Sequence, residues 1–353
     1  MKKYFKNKTV IVTGHTGFKG SWLTQWLLLL GAKVVGIGLK PHTIPSHYKF
    51  LKLKDKIVDI RADITDNNKI LRIFKRYKPD YVFHLAAQSI VNKSYNAPSQ
   101  TYNVNFFGTL NILEALRTLD KKCISIIITS DKCYENLETI WGYKETDRLG
   151  GSDPYSASKA ATELLFRSHF KSFFVKKKNI LISSVRAGNV IGGGDWSTNR
   201  IIPDLIRSWN KKTVLEIRNP SSTRPWQHVL EPLRGYLTLA VNLKKNTLLN
   251  GESFNFGPNN YEEKNVSDVV QSMSKELQGL KWKILKKNDF IETNLLKLNC
   301  EKALKLLAWK PVLNFEETIA MTAEWYNNYY NNFTSNYTEY QIKKYLKIIS
   351  ERE

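Results

Sequence analysis

The chain has 353 residues, of which 42% are hydrophobic and 24% are charged, proportions typical of a globular protein with one large unit or two lobes. The longest apolar run, Trp22 to Leu30, is too short to span a membrane, and the amino terminus has no signal-peptide pattern, so we expect a cytoplasmic protein without a membrane partner. The formal net charge of +22 comes mostly from lysines spread through predicted loops, which favours attraction of an anionic small substrate over nucleic-acid binding.

Strands and helices alternate along the first half of the chain. Short apolar runs rich in β-branched residues predict strands at residues 8–13, 33–39, 57–64, 81–85, 123–129 and 179–186. Helices are predicted between them at residues 21–30, 67–77, 98–119 and 157–174. This alternation predicts an α/β fold with a doubly wound parallel sheet of the Rossmann type.

The alternation ends after residue 189, where a glycine-rich loop, a helix (201–210), a short strand (214–217) and a polar loop (219–226) follow. We therefore predict a dinucleotide-binding domain over residues 1–188, with some return segments from the C-terminal half. Residues 189–353 are predicted to form a smaller, mixed α/β substrate lobe and a C-terminal helix (337–350). That helix suggests no function.

A glycine-rich segment lies between the first predicted strand and the first predicted helix. Its sequence is Gly14-His15-Thr16-Gly17-Phe18-Lys19-Gly20. Glycines at this spacing permit a tight turn, and a helix N-terminus supplies N–H donors to a pyrophosphate. We therefore predict that every residue of the segment except His15 binds a dinucleotide. The alternative is a plain strand–helix turn.

The preference for NAD or NADP is less clear from the sequence. A fold that binds NAD usually ends its second strand in Asp or Glu, where this chain has Gly38. No acidic residue occurs between Gly36 and Tyr48. We predict NAD without excluding NADP, and we expect Asp63 and Ile64, after the third strand, to hold the adenine end.

The fourth predicted strand ends in small residues. Ala86 and Ala87, followed by Gln88, would let the backbone approach a cofactor ribose. The alternative is that Ala86 and Ala87 are only core residues.

Tyr155 and Lys159 form a YxxxK pattern, which places both side chains on one face of a helix. An ammonium about 4 Å from a phenol is worth about 4 kcal/mol at an effective dielectric constant of about 20, which would lower the phenol pKa by roughly three units. We therefore predict that Tyr155 is a base near neutral pH and that Lys159 also binds the cofactor ribose. The alternative is an exposed helical pair without function.

Ser130, Asp131 and Lys132 follow the fifth predicted strand. Ligands of doubly wound sheets bind at the carboxyl ends of strands, so these residues are candidates for the reaction. Ser130 can hydrogen-bond a sugar hydroxyl, and Asp131 and Lys132 offer the acid and base that a dehydration requires. The alternative is a solvated strand–loop junction. Cys133 is expected to be a bystander.

Metal and disulfide chemistry have no support in the sequence. Cys123, Cys133 and Cys300 are scattered, and the six histidines form no HExxH pattern. We therefore expect no metal site and no disulfide framework.

Six segments together resemble the extended short-chain dehydrogenase/reductase family of nucleotide-sugar enzymes, over residues 8–311. They are TGHTGFKGSW (13–22), HLAAQ (84–88), SDKCY (130–134), DPYSASK (153–159), RAGNVIGGGDW (186–196) and RPWQHV (224–229). Related hexose dehydratases have Asp-Glu after the Ser or Thr, whereas the CDP-glucose branch has Asp-Lys, as in Asp131-Lys132. The resemblance therefore implies an NAD-dependent lyase of deoxysugar biosynthesis that forms CDP-4-keto-6-deoxyglucose from CDP-glucose.

The resemblance also implies how the work is divided among the catalytic residues. Tyr155, assisted by Lys159 and Ser130, would take the proton of the C4 hydroxyl while hydride leaves C4. Lys132 would help to remove the C5 proton, and Asp131 would protonate the C6 hydroxyl as water leaves.

Substrate contacts follow from the same resemblance. Asn189 would touch the sugar or phosphate, and Arg224 would bind the pyrophosphate. Weaker candidates for the substrate are Gln88, Arg200, Trp226 and Asn255. Asn105 would support the catalytic region beside the cofactor.

The resemblance implies a homodimer formed through the helices after strands four and five, which could pair further into a tetramer. Two other functions stay open at this point. One is a different nucleotide-sugar dehydratase or a 4-epimerase of the same family. The other is a non-catalytic dinucleotide-binding protein, which would need none of Tyr155, Lys159, Ser130 and Asp131.

Overall fold

The computed structural model describes residues 1–217, 219–258, 264–285, 295–333 and 336–352. Its strands are β1 (Thr9–Thr13), β2 (Lys33–Gly38), β3 (Val58–Arg61), β4 (Tyr81–His84), β5 (Cys123–Ile128), β6 (Ile180–Ala187), β7 (Val190–Ile191), β8 (Val214–Ile217), β9 (Gln227–His228), β10 (Ser253–Phe256) and β11 (Lys281–Ile284). Its α-helices are α1 (Lys2–Phe5), α2 (Phe18–Leu29), α3 (His47–Phe50), α4 (Asn67–Tyr77), α5 (Val91–Asn96), α6 (Pro98–Tyr102), α7 (Gly108–Arg117), α8 (Pro154–His169), α9 (Ile201–Asn210), α10 (Leu230–Lys245), α11 (Val266–Glu276), α12 (Glu301–Leu307), α13 (Phe315–Asn327) and α14 (Tyr337–Arg352).

Among the described residues, seven strands form one parallel sheet in the order β10-β6-β5-β4-β1-β2-β3. Thr13 lies opposite Ile37 on one side and His84 on the other, so β1, β2 and β4 end at the same edge. The strand order reverses between β1 and β4, which opens a crevice at that edge. The predicted doubly wound parallel sheet is confirmed, and the loops after β1, β4 and β5 meet beside the crevice.

The central strands of the sheet are buried on both faces. Val10 and Val12 of β1 pack into the core cluster on one face, whereas Ile11 packs into the cluster on the other. Alternate side chains of a strand point to opposite faces, so a strand that is apolar at every position needs helices on both sides. This explains the continuous apolar runs that predicted the strands.

Two predicted helices contain π-helical turns. The helix predicted at 98–119 consists of α6, a π-helical turn at Asn103–Phe107 and α7. The helix predicted at 157–174 begins earlier, at Pro154, because the side chain of Asp153 accepts a hydrogen bond from the backbone N–H of Ser156 (3.0 Å). It ends in a second π-helical turn, Phe170–Phe174.

The C-terminal half adds to the sheet and also forms strand pairs outside it. The sequence did not predict β10, which pairs with β6 and extends the main sheet. Two further parallel pairs, β7 with β9 and β8 with β11, lie outside that sheet. The predicted C-terminal helix forms α14, whose Tyr345 ring packs against Trp26 of α2. In the described part of the chain, no helix combines the length and apolarity needed to cross a membrane.

Candidate active site

The turn after β1 has the geometry of an anion-binding site. Gly14 has a φ of +74°, and a Cβ there would lie 2.8 Å from the backbone nitrogen of Ala86. A Cβ on Gly20 would collide with the carbonyl oxygen of Gly14. Helix α2 begins after Gly17 without a side-chain cap, so the N–H groups of its first turn are available to a phosphate. These residues fit a dinucleotide pyrophosphate.

A buried histidine connects this turn to the end of β4. Thr13 Oγ1 lies 2.7 Å from His84 Nδ1, and His84 Nε2 lies 2.9 Å from Thr109 Oγ1. Burial lowers the pKa of His84 to about 3, and the positive charge of Lys159 acts in the same direction. His84 is therefore neutral at pH 7. The backbone N–H of Ala86 donates to Thr13 Oγ1 (3.1 Å), which fixes the strand end beside the glycine turn.

An acidic residue near the end of β2 comes from β3. Asp59 accepts hydrogen bonds from Tyr48 (2.8 Å) and Arg61 (2.8 Å) and lies 2.7 Å from His15 Nε2. Arg61 also donates to the carbonyl oxygen of Leu39 (2.7 Å), just beyond β2. Sequence reasoning missed this cluster because the acidic residue lies within the neighbouring strand.

The residues predicted for the adenine end lie beyond β3. Asp63 accepts a hydrogen bond from the backbone N–H of Thr65 (3.0 Å). The side chain of Ile64 is buried where a Cβ on Gly108 would meet it. At the other end of the glycine turn, Thr16 donates to the carbonyl oxygen of Leu39 (3.1 Å).

Asn105 joins the end of β4 to the catalytic helix. Its amide accepts from the backbone N–H of Gln88 (2.8 Å) and donates to the Gln88 carbonyl (3.1 Å) and to Ser158 (2.9 Å). The Gln88 side chain in turn donates to the carbonyl of Ile90 and to Thr101. The π-helical turn that contains Asn105 therefore links the loop after β4 to α8.

Ser130, Asp131, Tyr155 and Lys159 lie together at the carboxyl end of β5. All four side chains are buried. The hydroxyl of Ser130 donates to Asp131 (3.0 Å) and accepts from the backbone N–H of Lys132 (3.2 Å). Tyr155 lies within hydrogen-bonding reach of Ser130. The structure thus brings together residues that are 29 positions apart, counted from Ser130 to Lys159.

The expected depression of the Tyr155 pKa is not found. Burial raises the pKa of Tyr155 to about 12, while the hydrogen bond to Ser130 and the charge of Arg200 act in the opposite direction. Burial also lowers the pKa of Lys159 to about 8. The pKa expected for a solvated Tyr-Lys pair does not hold here, because burial has the largest effect on the Tyr155 pKa.

Asp131 has the environment of a proton donor. Burial raises the pKa of its carboxyl, although Lys132, Ser130 and Lys19 oppose that shift. Its Oδ2 atom is buried without a hydrogen-bond partner among the described residues, close to Gly188. A carboxyl group in such a place holds its proton at a higher pH than an exposed aspartate does. Cys133, next but one in the chain, is buried in a separate small apolar cluster.

Lys19 belongs to the glycine turn, yet its charge acts on the catalytic residues. Burial lowers the pKa of Lys19 to about 8; Arg200 acts in the same direction and Asp131 opposes it. The same ammonium lowers the pKa of Lys159. Lys19 and Arg200 therefore make the space between α2, β5 and α8 electropositive.

The substrate-lobe candidates have different surroundings. Arg200, about a third exposed, pairs with Asp195 (3.2 Å). Arg224 donates to the carbonyl oxygen of Thr223 (2.8 Å). Trp226 is buried and donates to the carbonyl oxygen of Lys264 (3.0 Å).

Asn189 and Asn255 contact the rest of the protein in different ways. The carbonyl oxygen of Asn189 accepts from the backbone N–H of Gln227 (3.2 Å), next to the β7–β9 pair. Asn255 has no exposed surface, and its amide contacts Tyr134 (2.8 Å) and the carbonyl oxygens of Tyr143 and Asn299. Asn255, predicted as a weak substrate contact, is thus buried and hydrogen-bonded within the protein.

Enzymes that carry this Tyr-Lys pair at the crevice of such a sheet form the short-chain dehydrogenase/reductase class. The chain belongs to the GDP-mannose 4,6 dehydratase family, whose sequence profile matches residues 11–322. The resemblance inferred from the motifs is confirmed.

One named protein is similar to this chain in sequence, and two solved structures are similar to it in fold. The chain is 42% identical over 331 residues to the CDP-glucose 4,6-dehydratase of Salmonella typhimurium, covering 92% of each protein. Among solved structures, it is similar to the epimerase Mth375 of Methanothermobacter thermautotrophicus (TM-score 0.79, 24% identity, 94% of this chain and 96% of that one). It is also similar to the dTDP-glucose 4,6-dehydratase of Bacillus anthracis in complex with NAD (TM-score 0.76, 19% identity, 94% and 99%). The two structures support the fold.

Proposed function

We propose that this chain is an NAD-dependent lyase that converts CDP-glucose to CDP-4-keto-6-deoxyglucose and water. The observation that carries the proposal is Asp131, a buried carboxyl group with a raised pKa beside Tyr155. Oxidation at C4 alone does not need such an acid, whereas loss of the C6 hydroxyl does. The identity to the Salmonella typhimurium CDP-glucose 4,6-dehydratase supports CDP as the nucleotide.

The cofactor would lie across the carboxyl edge of β1, β2 and β4. The glycine turn and the first turn of α2 would hold its pyrophosphate, Asp63 and Ile64 its adenine end, and Ala86 to Gln88 its second ribose. Bound NAD would supply an acceptor for the C4 hydride, a source of hydride for C6, and the positive charge of its oxidised ring. Its charge would join that of Arg200, which already favours the phenolate form of Tyr155.

At C4, Tyr155 takes the hydroxyl proton. Ser130 hydrogen-bonds the same hydroxyl and holds it towards the phenol. Lys159, one helical turn from Tyr155, stabilises the phenolate with its charge and hydrogen-bonds the cofactor ribose. The ketone formed at C4 makes the C5 proton acidic.

At C5 and C6, Lys132 helps to remove the proton while Asp131 protonates the departing hydroxyl. The C5 proton passes to Lys132, and the proton of Asp131 combines with the C6 hydroxyl to form water. The double bond left between C5 and C6 then receives the hydride at C6 and a proton from Lys132 at C5. Burial raises the pKa of Asp131, which favours its role as the proton donor.

The nucleotide end lies against the second lobe. Arg224 binds the pyrophosphate, Asn189 the sugar or phosphate, and Arg200 and Trp226 the nucleotide. Gln88 and Asn105 support the site from the protein interior, because their side chains already form hydrogen bonds with neighbouring helices.

Incubation of the purified protein with CDP-glucose and NAD tests the proposal. We expect a product lighter by one water, detected by mass and by the alkali-induced absorbance of a 4-keto sugar. Parallel incubations with dTDP-glucose and GDP-mannose serve as controls. Faster turnover of either control would overturn the substrate, and an epimer of unchanged mass would overturn the reaction.

The proposed assembly is a homodimer in the cytoplasm. The helices α5 to α8 leave large apolar side chains exposed, among them Phe107 (52%) and Leu164 (54%). Exposed apolar side chains on neighbouring helices suit a symmetric interface.

Light scattering tests the interface with a matched pair of variants. We expect Leu164→Glu to give a monomer, because it buries a charge in the dimer. Leu248→Glu, at an equally apolar but remote position (85% exposed), is expected to leave the dimer intact. A wild-type monomer would contradict the proposal, and a wild-type tetramer would show that dimers pair further.

A further inference from the structure

Helix α8 carries a third ionisable residue on the stripe that holds Tyr155 and Lys159. Glu163 lies four positions after Lys159, the spacing that makes side chains neighbours on a helix face. Its side chain is 2% exposed. No step of the proposed reaction uses it, yet a fully buried carboxylate is costly unless it is paired.

Both oxygens of Glu163 are satisfied by the protein. Oε2 forms an ion pair with Arg186 Nη2 (2.8 Å) and accepts from Ser184 (2.9 Å), while Oε1 accepts from Thr129. Although burial favours the acid form, Arg186 and these hydroxyls hold the pKa of Glu163 below its usual value. Glu163 is therefore ionised although it lies on the buried face of α8.

The charges that face Lys159 come from several elements. Lys19 of α2 lowers its pKa, whereas Glu163 of α8 and the thiol of Cys133 raise it. Burial raises the pKa of that thiol well above its usual value, so Cys133 is neutral at pH 7. His84 of β4 is neutral as well. Glu163 is thus the anion among these groups.

We propose that Glu163 is a positioning residue for Lys159, whose carboxylate, anchored by Arg186, keeps the buried lysine protonated. Thr129 and Ser184, at the end of β5 and in β6, fix that carboxylate relative to the sheet on which the catalytic residues are built. This role rests on the proposed function for its catalytic consequence: without the anion, Lys159 loses its proton at lower pH and stops stabilising the Tyr155 phenolate.

The titration of Lys159 can be followed directly by NMR of protein labelled with [ε-¹³C]lysine, without substrate or cofactor. Its signal is the one absent from a Lys159→Met variant. The pKa of Lys159 is about 8 in the wild-type protein. In Glu163→Gln we expect it to fall by about one unit, as removal of a nearby charge at an effective dielectric constant of about 20 implies.

The enzyme assay supplies a second readout. The protonated form of Lys159 is the active one, so kcat/KM for CDP-glucose falls as pH rises through the Lys159 pKa. Glu163→Gln is expected to move this basic limb to lower pH, with KM at pH 6 changed less than about twofold. Glu163→Asp keeps the negative charge, so its basic limb is expected to lie close to the wild-type pH.

Glu231→Gln is the matched control for the loss of a buried carboxylate. Glu231 is also buried, on α10, and accepts from the backbone of Val312 (2.9 Å) and Leu313 (2.8 Å) and from Tyr345 (2.7 Å). This variant is expected to lose thermal stability while the Lys159 titration stays in place.

Glu163→Gln leaves the buried Arg186 without its ion-pair partner, so a double variant with Arg186→Met is measured as well. The Lys159 pKa of the double variant is expected to lie between those of the wild type and Glu163→Gln. A Lys159 titration that coincides with the wild type in the folded variants would overturn the proposal. Absence of dehydration by the wild type would overturn only the proposed function, because the titration does not depend on turnover.

Discussion

Replacing Tyr155 with phenylalanine is expected to lower the rate of CDP-glucose dehydration by about a thousandfold. Phenylalanine keeps the ring that packs in this buried place and removes the only hydroxyl that takes the C4 proton in the proposed mechanism. The measurement is the initial rate of 4-keto product at saturating CDP-glucose and NAD. Binding of both ligands, measured by calorimetry, is expected to change less than about tenfold.

Tyr81→Phe is the matched control for this change. Tyr81 is a buried tyrosine at the opposite end of β4, away from the crevice, so its loss is expected to leave the rate within about twofold of the wild type. If Tyr155→Phe retained more than a tenth of the wild-type rate, another group would have to be the base.

Asp131→Asn is expected to slow the loss of water by about a hundredfold to a thousandfold while leaving C4 oxidation in place. Asparagine has nearly the same shape as aspartic acid but cannot give a proton to the departing hydroxyl. The two steps are separated in heavy water, because a C4 ketone lets the C5 proton exchange with solvent. We therefore expect recovered CDP-glucose to gain one deuterium although little product forms.

The exchange experiment discriminates among the proposed roles. Tyr155→Phe is expected to block exchange and elimination together, since no ketone forms, and Lys132→Ala to slow the exchange. Loss of exchange in Asp131→Asn would show that Asp131 acts before elimination. A wild-type rate of water loss in that variant would remove it from the mechanism.

Local patterns determined most of the fold and the reaction type. The strands β1, β2, β4 and β5 are mostly apolar because the centre of a parallel sheet is covered on both faces, and such runs are visible without neighbours. The glycine turn and the Tyr155–Lys159 spacing depend on residues close in sequence, so they too could be recognised. The Asp131-Lys132 pair indicated the dehydratase branch.

Contacts between residues far apart in the chain could not be predicted from local patterns. Strand β10 joins the main sheet from far along the chain, and its four residues have no distinctive pattern. Asp59 lies within β3, and parallel pairing of β3 with β2 brings it close to the end of β2, where the expected acidic residue is missing.

The sequence by itself therefore determined the sheet, the turn that fits a dinucleotide and the residues that we propose as the reacting groups. Only the tertiary structure decided their ionisation. Burial raises the pKa of Tyr155 and Asp131 and lowers that of Lys159, opposite to what a solvated Tyr-Lys pair predicted for the tyrosine. The physical reason is that residue types and spacing set which charges are neighbours, whereas the loss of water around them depends on packing of the whole chain.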